Sequence, residues 1–401
     1  MDNTIRVGID LHINTLTQHT LITGNTGTGK TTTIFRMLEQ LEMESKCINI
    51  VFDSKGDLNK IKQVRGCNVV LIDTNPNWDD KKNFGIPAKL LFNRIPLDVL
   101  KKLMGFNEIQ GNLFQMFHDM MLEYSDEDDN GKVFDLWLET FNPELALKCF
   151  NAFQYDLKDY VAKKMNTNIN NVTYNAVSQR LLSFSLQYNK FFYAENERIN
   201  TFIEYFDRVD AQDGGTFIIN TSNLKLNRNE AINSTIYQLW VAYILNRIYD
   251  RYEGESDKLE CTLFVDEAHQ VFADNDTNKS PMVGYMLNTV RTSRSRGLGV
   301  VFITQSTKDI PSDITSQIST VIQHRLTKDD LIKDIANSFK STNAYHNKWG
   351  DDTNYITEIK NLNSGEAFVS CLDEKGNQRE VVKTKIDTPQ SIKYKVLEKN
   401  N

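Results

Sequence analysis

The sequence predicts an α/β fold, a mainly parallel sheet carrying an all-helical insertion, and three observations support that reading. Short apolar, β-branched runs alternate with amphipathic helical stretches in the N-terminal third, the pattern of βαβ units. From about residue 87 to about residue 206 the pattern turns almost wholly helical. The alternation then resumes and continues towards the C-terminus. The expected organisation is therefore a core made of residues 1–86 and 207–401, with residues 87–206 inserted.

Taken in order, residues 20–23 read as a short buried strand. Residues 31–43 read as a helix with Ile34, Met37, Leu38 and Leu41 on one side. Residues 47–52 and 68–73 supply two further strands. In the insertion, residues 97–124, 143–165 and 174–188 have helical periodicity. The acidic run 125–130 and the polar run 166–171 separate them, and the acidic run reads as a solvated loop. The turn Asp213-Gly214-Gly215 introduces a strand at 216–220, followed by a long amphipathic helix near 228–252. Strands at 262–265, 299–304 and 320–325 follow, with helices at 281–296 and from near Lys328. Residues 366–371 and 379–385 suit antiparallel edge strands.

Composition narrows the function classes. The chain has 401 residues, 40% hydrophobic and 25% charged, which is ordinary for a soluble globular protein. It holds no apolar run of the ~18 residues a transmembrane helix needs. Its first residues lack the basic start and apolar stretch of a secretory signal. Cys47, Cys67, Cys149, Cys261 and Cys371 lie far apart without a CxxC pair, which suits reduced thiols in a cytoplasm rather than a zinc or disulfide framework. A net charge of −7 gives no global attraction to nucleic acid, so DNA binding would need local basic patches.

The strongest motif is Gly24-Asn25-Thr26-Gly27-Thr28-Gly29-Lys30-Thr31, a full match to GxxxxGK[ST] between a strand and a helix. Glycines let successive N–H groups turn inward on a β-phosphate, and the helix, which Thr32 continues, adds its positive N-terminal end. Lys30 is expected to neutralise β- and γ-phosphate oxygens, and the Thr31 hydroxyl to join a Mg²⁺ shell. The second motif is Cys261-Thr262-Leu263-Phe264-Val265-Asp266-Glu267, an apolar strand that delivers two carboxylates at its C-terminal end. Asp266 is expected to hold Mg²⁺ and Glu267 to act as general base on the attacking water. These residues predict binding and hydrolysis of Mg-ATP.

Other residues leave alternatives open. Gln305, after the strand ending at Thr304, suits contact with a γ-phosphate or the lytic water, and equally suits a plain polar strand end. Arg291, Arg294 and Arg296 could stabilise transferring phosphate from the same subunit or a neighbour. At 100° per residue the three cannot face one way, so at least one is expected to be an ordinary surface arginine. His269 suits coupling of the hydrolysis centre or a structural hydrogen bond. Asp53-Ser54-Lys55-Gly56-Asp57 reads first as a polar turn and second as part of the site or a subunit border.

In this order, the motif from Leu21 to Thr31, the turn from Asp53 to Leu58, Val265-Asp266-Glu267-Ala268-His269, the stretch from Arg291 to Gly299, Thr304-Gln305-Ser306 and the stretch from Gln317 to Arg325 resemble the HerA/FtsK superfamily of RecA-like motor ATPases, and most of all HerA-like bacterial and viral proteins. The resemblance implies a RecA-like P-loop ATPase core, a homo-hexameric ring with ATP at subunit borders, and double-stranded DNA driven through the pore. The insertion is similar in placement to the helical bundle of HerA-like ATPases.

There are two departures. HerA-like motors usually carry an N-terminal β-barrel before the P-loop, whereas about 20 residues precede Gly24 in this sequence, and Gln18 stands where such proteins often carry an arginine before the position of His19. The trans-acting role then falls to Arg291, Arg294 or Arg325. The expected function is a cytoplasmic ring motor that translocates or remodels double-stranded DNA. The alternative is an ATPase switch or scaffold that regulates a partner such as a nuclease without processive movement. Residues 273–281 are the expected pore loop, and Lys279 as their only cation weakens the motor reading.

Overall fold

β-Branched, apolar segments with no solvated face pack best inside a sheet covered on both sides. The computed structural model describes residues 4–58, 69–77, 85–126, 140–194, 206, 214–222, 224, 230–252, 254–272, 281–339, 349–350 and 352–389. Its strands are β1 (Thr4–Arg6), β2 (Asp10–His12), β3 (Thr20–Thr23), β4 (Ile48–Asp53), β5 (Val69–Asp73), β6 (Ile86–Pro87), β7 (Gly215–Asn220), β8 (Ser256–Val265), β9 (Arg296–Thr304), β10 (Thr320–Gln323), β11 (Glu366–Ser370) and β12 (Val382–Lys385). Among the described residues ten of them form one sheet in the order β12-β11-β10-β3-β9-β8-β4-β7-β5-β6. Every pairing from β10 to β6 is parallel, and β11 and β12 add an antiparallel edge. The predicted α/β class with a mainly parallel sheet is the class observed.

Alternate side chains of each strand feed two separate cores. Val51, Ile218, Phe264 and Val301 face helix α1 (Lys30–Glu44), which buries Ile34, Met37, Leu38 and Leu41 among them. The β1–β2 hairpin and a 3₁₀ turn at Ile13–Gln18 close that layer with Ile5, Leu11 and Leu16. Ile50, Phe52, Phe217, Leu263 and Phe302 point the other way into a larger core. Helices α2 (Leu97–Leu103), α3 (Glu108–Asp126), α4 (Pro143–Ala152), α5 (Gln154–Met165), α6 (Asn171–Tyr188), α7 (Glu230–Arg251), α8 (Pro281–Ser293), α9 (Ser312–Thr315), α10 (Asp329–Phe339) and α11 (Asp352–Lys360) complete the set. Phe114 and Phe117 of α3, Leu181 of α6 and Trp240 of α7 belong to that same larger core.

Several boundaries differ from the sequence expectation, each for a local reason. The helix expected over 97–124 is two helices. Gly105 takes φ +68° just after α2, and Asn107 then caps α3 by accepting the Gln110 N–H. The stretch 143–165 breaks at Phe153, whose backbone (φ −92°, ψ 24°) leaves the helical region between α4 and α5. Ser125 and Asp126 close α3, and the rest of the acidic run lies outside the described residues. Helix α8 stops at Ser293 because the chain turns at Gly297 (φ +70°) and is already in β9 from Arg296. Strand β8 starts at Ser256, six residues before the expected position, with a register shift between Ser256 and Cys261. No described helix is long and apolar enough to cross a membrane.

Candidate nucleotide site

Parallel strands end on one edge, and the loops leaving that edge converge. Here the loops after β3, β4, β8, β9 and β10 carry Gly24–Gly29, Ser54–Asp57, Asp266–His269, Gln305 and His324–Arg325 respectively. The loop after β3 depends on glycine. At Gly24 (φ +152°) a Cβ would lie 2.6 Å from the His324 Cβ and 2.8 Å from Thr28 Oγ1, so no side chain fits. At Gly27 (φ +76°) no atom lies within 4 Å of where a Cβ would stand, so it is the left-handed backbone and not lack of room that favours glycine there.

The loop is buttressed from behind by the far end of the chain. Asn25 N–H donates to the Arg325 carbonyl (2.9 Å), and Gly365 N–H to the Thr28 carbonyl (2.9 Å). Asn25 Nδ2 donates to Thr327 Oγ1 (3.0 Å), and Ser364 Oγ to the Gly27 carbonyl (3.0 Å). Buried His324 sits 3.0 Å from the Glu366 carbonyl through Nδ1 and 2.8 Å from Thr33 Oγ1 through Nε2. A carbonyl only accepts, so Nδ1 carries the proton and Nε2 receives the threonine hydroxyl. Burial, with Lys30 nearby, lowers this imidazole to about 4.

Lys30 opens α1 and folds back over the loop, donating to the Gly24 carbonyl (2.5 Å) and the Asn25 carbonyl (3.0 Å). Burial first and then the Lys55 ammonium lower it to about 8, against the opposing pull of Glu267 and Asp266. Thr31 and Thr32 follow in the first helical turn, where unpaired N–H groups add positive potential.

Facing the loop are the two carboxylates at the end of β8, 7% and 5% exposed at Asp266 and Glu267. Asp266 accepts from Ser54 Oγ (2.8 Å), and its carbonyl accepts from the buried Tyr237 hydroxyl of α7 (2.8 Å). Burial raises the Asp266 carboxyl above its ordinary range. Glu267 is instead approached on both oxygens: Lys55 Nζ meets Oε1, and His269 Nδ1 lies 3.3 Å from Oε2. These partners, His269 foremost, hold Glu267 down at about 2, and Glu267 in turn raises His269. Burial alone would lower Lys55, but its Glu267 contact outweighs this and the net shift is upward. Glu267 sits at φ +50°, ψ +54°, a left-handed backbone that β-carbon sterics disfavour and that turns its side chain at the strand end.

The turn after β4 does both things the sequence left open. Asp53 accepts from the N–H groups of Lys55, Gly56, Asp57 and Leu58, which fixes the turn. Burial raises Asp53 to about 6 despite those bonds. The same turn places Ser54 and Lys55 against the two carboxylates. Gln305 is exposed at the loop's rim, its Oε1 3.4 Å from the Thr26 hydroxyl.

The expected arginines separate into two groups. Arg325 stays beside the loop, and its guanidinium makes no ion pair among the described residues. Arg291 and Arg294 lie at the opposite edge of the sheet, before β9 begins at Arg296. The nine residues of β9 put about 25 Å between that edge and Thr304. There the two exposed arginines line a cavity of about 530 Å³ that also includes His12, Gln18, Glu374 and Lys375. Arg296 is packed, its guanidinium 4.6 Å from the Tyr249 ring centre. The expected pore loop lies outside the described residues except for Pro281, which starts α8.

Sequence reasoning missed Tyr237 and the loop from Asn363 to Glu366, and did not single out His324 within the stretch from Gln317 to Arg325, because no local motif marks residues whose role is to support a distant loop. Ser54 and Lys55 carried a usable signal, a polar pair at the end of an apolar strand on the phosphate-loop edge.

Residues 120–400 match the helicase HerA-like C-terminal family, and residues 4–79 match the DNA-binding domain of type IV secretion-system coupling proteins. The unbound monoclinic form of the bacterial conjugative coupling protein TrwB is similar in structure, with a TM-score of 0.60 at 14% identity, over 97% of this chain and 89% of that one. TrwB in complex with ADP and Mg²⁺ gives 0.59 at 15% identity, over 97% and 90%. VirB4 of Thermoanaerobacter pseudethanolicus gives 0.55 at 15% identity, over 93% and 90%. Among curated proteins none matches this chain. At these identities the solved structures speak for the fold, a RecA-like P-loop core.

Proposed function

The chain belongs to the helicase HerA-like C-terminal family and is a P-loop ATPase of the HerA/FtsK type, and from that premise we propose that it is a ring motor translocating or remodelling double-stranded DNA. The observation that carries the reading is the convergence of Lys30, Asp266 and Glu267 on one sheet edge around a glycine cradle. In this reading the backbone from Gly24 to Thr32 cradles the phosphates of ATP, and Lys30 leaves its loop carbonyls for the β- and γ-phosphate oxygens. The Thr31 hydroxyl and the Asp266 carboxylate are hard oxygen donors of the kind Mg²⁺ takes, and they would hold it. The metal supplies charge neutralisation on the phosphates. Glu267 takes the proton of the attacking water, and Gln305 orients that water from the rim.

The arginines fit a ring. Gln18 occupies the position where the resemblance expects a trans-acting arginine, and it lines the same cavity as Arg291 and Arg294. We read this as a relocated arginine site, in which one of the two completes the site of the neighbouring subunit. We read residues 87–206 as an insertion into a core of residues 1–86 and 207–401. DNA as the track is supported by the coupling-protein DNA-binding match over residues 4–79.

The second reading, a cytoplasmic ATPase switch acting on a partner such as a nuclease, is favoured by one observation: Lys279 is the only cation in 273–281. Steady-state ATPase assays with and without linear duplex DNA separate the two. The motor reading expects several-fold stimulation by duplex DNA that fades as salt rises. An unchanged rate at all salt concentrations, with Lys30→Ala inactive, would favour the switch.

A further inference from the structure

Lys55 is an ammonium at this site that the hydrolysis scheme above does not use. Its turn is rigid, fixed by the four N–H bonds to Asp53, while its side chain is 36% exposed at the mouth of the site. The side chain of its partner Glu267 is buried, so a buried carboxylate is held by a cation that still reaches solvent. We propose that Lys55 is a γ-phosphate sensor that exchanges partners: it holds Glu267 until the terminal phosphate of a bound nucleoside triphosphate draws it away, releasing Glu267 to bind water.

This rests on the reading of Glu267 as the base. Three observations carry it. First, beside His269, the ammonium on Oε1 lowers the basicity of Glu267 and occupies part of that oxygen, so opening the Lys55 contact makes Glu267 a stronger base towards water. Second, Lys55 is near enough to Lys30 for its ammonium to lower the Lys30 amine beyond what burial does, and Lys30 sits on the carbonyls of the phosphate loop. A triphosphate that draws Lys30 therefore competes for Lys55 as well. Third, Glu267 keeps His269 on its other oxygen, so it stays oriented when Lys55 leaves. A diphosphate lacks the group that would compete, which gives the site a way to tell ATP from ADP before chemistry. The exchange makes and breaks only ion pairs, and Lys55 acts on hydrolysis by positioning Glu267.

The test is calorimetric titration of the full chain with Mg-ADP and with the slowly hydrolysed analogue Mg-ATPγS, alongside ATPase kinetics. For Lys55→Ala, ATPγS affinity should fall about tenfold while ADP affinity changes less than about twofold, and kcat should fall more than KM rises. Lys55→Arg should restore most of the ATPγS preference. Lys55→Met, which keeps the aliphatic stem, should behave as the alanine variant does and guards against a packing defect. Glu267→Gln frees Lys55 from its anion, so it should bind ATPγS tighter than wild type, and the gain should vanish in Lys55→Ala/Glu267→Gln. Equal losses for ADP and ATPγS, or no loss, would overturn the sensor role and leave Lys55 a turn residue. Full ATPase activity in Glu267→Gln would instead remove the base assignment, a failure visible separately from the Lys55 binding data.

Discussion

At the scale of single residues, two neighbours on one strand end are set up to fail differently. Asp266 is hydrogen-bonded to Ser54 and buried, whereas Glu267 is ion-paired to Lys55 on one oxygen and lies 3.3 Å from His269 Nδ1 on the other. Glu267→Gln keeps the side-chain shape and should retain nucleotide binding while kcat drops at least about 100-fold, the scale of losing a general base. Asp266→Ala should weaken the Mg²⁺ dependence of ATPγS binding, read by titrating the metal. Lys30→Ala should abolish turnover and weaken both nucleotides, and a wild-type rate in that variant would refute the phosphate cradle. Two buried histidines make a separate claim about stability. His19 accepts the Val300 N–H at Nδ1 and donates from Nε2 to the Val290 carbonyl, so it must stay neutral to keep both bonds. Burial lowers it from 6.5 to about 4, and His324 likewise. The unfolded chain therefore binds more protons between those values. The stability these groups contribute is fully present above pH 6.5 and is lost as the pH falls towards 4, by about 2 kcal/mol per histidine at pH 5. Urea unfolding at pH 7 and pH 5 should show the loss, and His19→Gln should show a smaller one. An equal pH dependence in the variant would remove His19 from the account.

At the scale of elements, what could be read from the sequence was what is local. The loop from Gly24 to Thr31 and the strand ending in Asp266 and Glu267 are contiguous motifs, and the strands that deliver them are apolar enough to be recognised alone. The breaks at Gly105 and Phe153 were missed because helical periodicity continues through them; only the backbone shows that the helices change direction. The β1–β2 hairpin was missed because its strands are three residues each, too short for an alternation to register. The supporting contacts are remote in sequence, Ser54 to Asp266 across 212 positions and Thr33 to His324 across 291, and no spacing rule reaches that far. Tyr237 shows what such contacts do. Its hydroxyl, fully buried on α7, ties that helix to the backbone of Asp266. Tyr237→Phe leaves that carbonyl without its donor and should cost about 1–2 kcal/mol. Because the loosened backbone carries both carboxylates, kcat should fall while ADP affinity holds. A variant that loses stability without losing kcat would make Tyr237 a purely structural residue.

At the scale of the whole molecule, the sheet itself decides how its arginines can work. The phosphate loop leaves one edge, and Arg291 and Arg294 stand at the other, about 25 Å away along β9. They cannot touch a phosphate held in their own chain, so any catalytic use requires a second chain. Arg325 is the opposite case, since its backbone carbonyl accepts a bond from the loop residue Asn25. Mixing variants distinguishes these geometries. A ring of Arg294→Ala subunits should bind ATP and hydrolyse it poorly, and Lys30→Ala subunits should not hydrolyse it at all. At a mixed border the intact loop of an Arg294→Ala subunit meets the intact arginine of a Lys30→Ala neighbour, so activity should partly return. Arg291→Ala should be rescued in the same way if it, rather than Arg294, faces the border; we expect Arg294. Arg325→Ala should not be rescued, because every intact loop would then sit in a chain lacking its own arginine. Subunit exchange, followed with fluorescent labels, has to be established first, and mass measured with ATPγS gives the assembly state. Failure of rescue at both Arg291 and Arg294, with a monomeric mass in the presence of nucleotide, would eliminate the ring, and with it the motor.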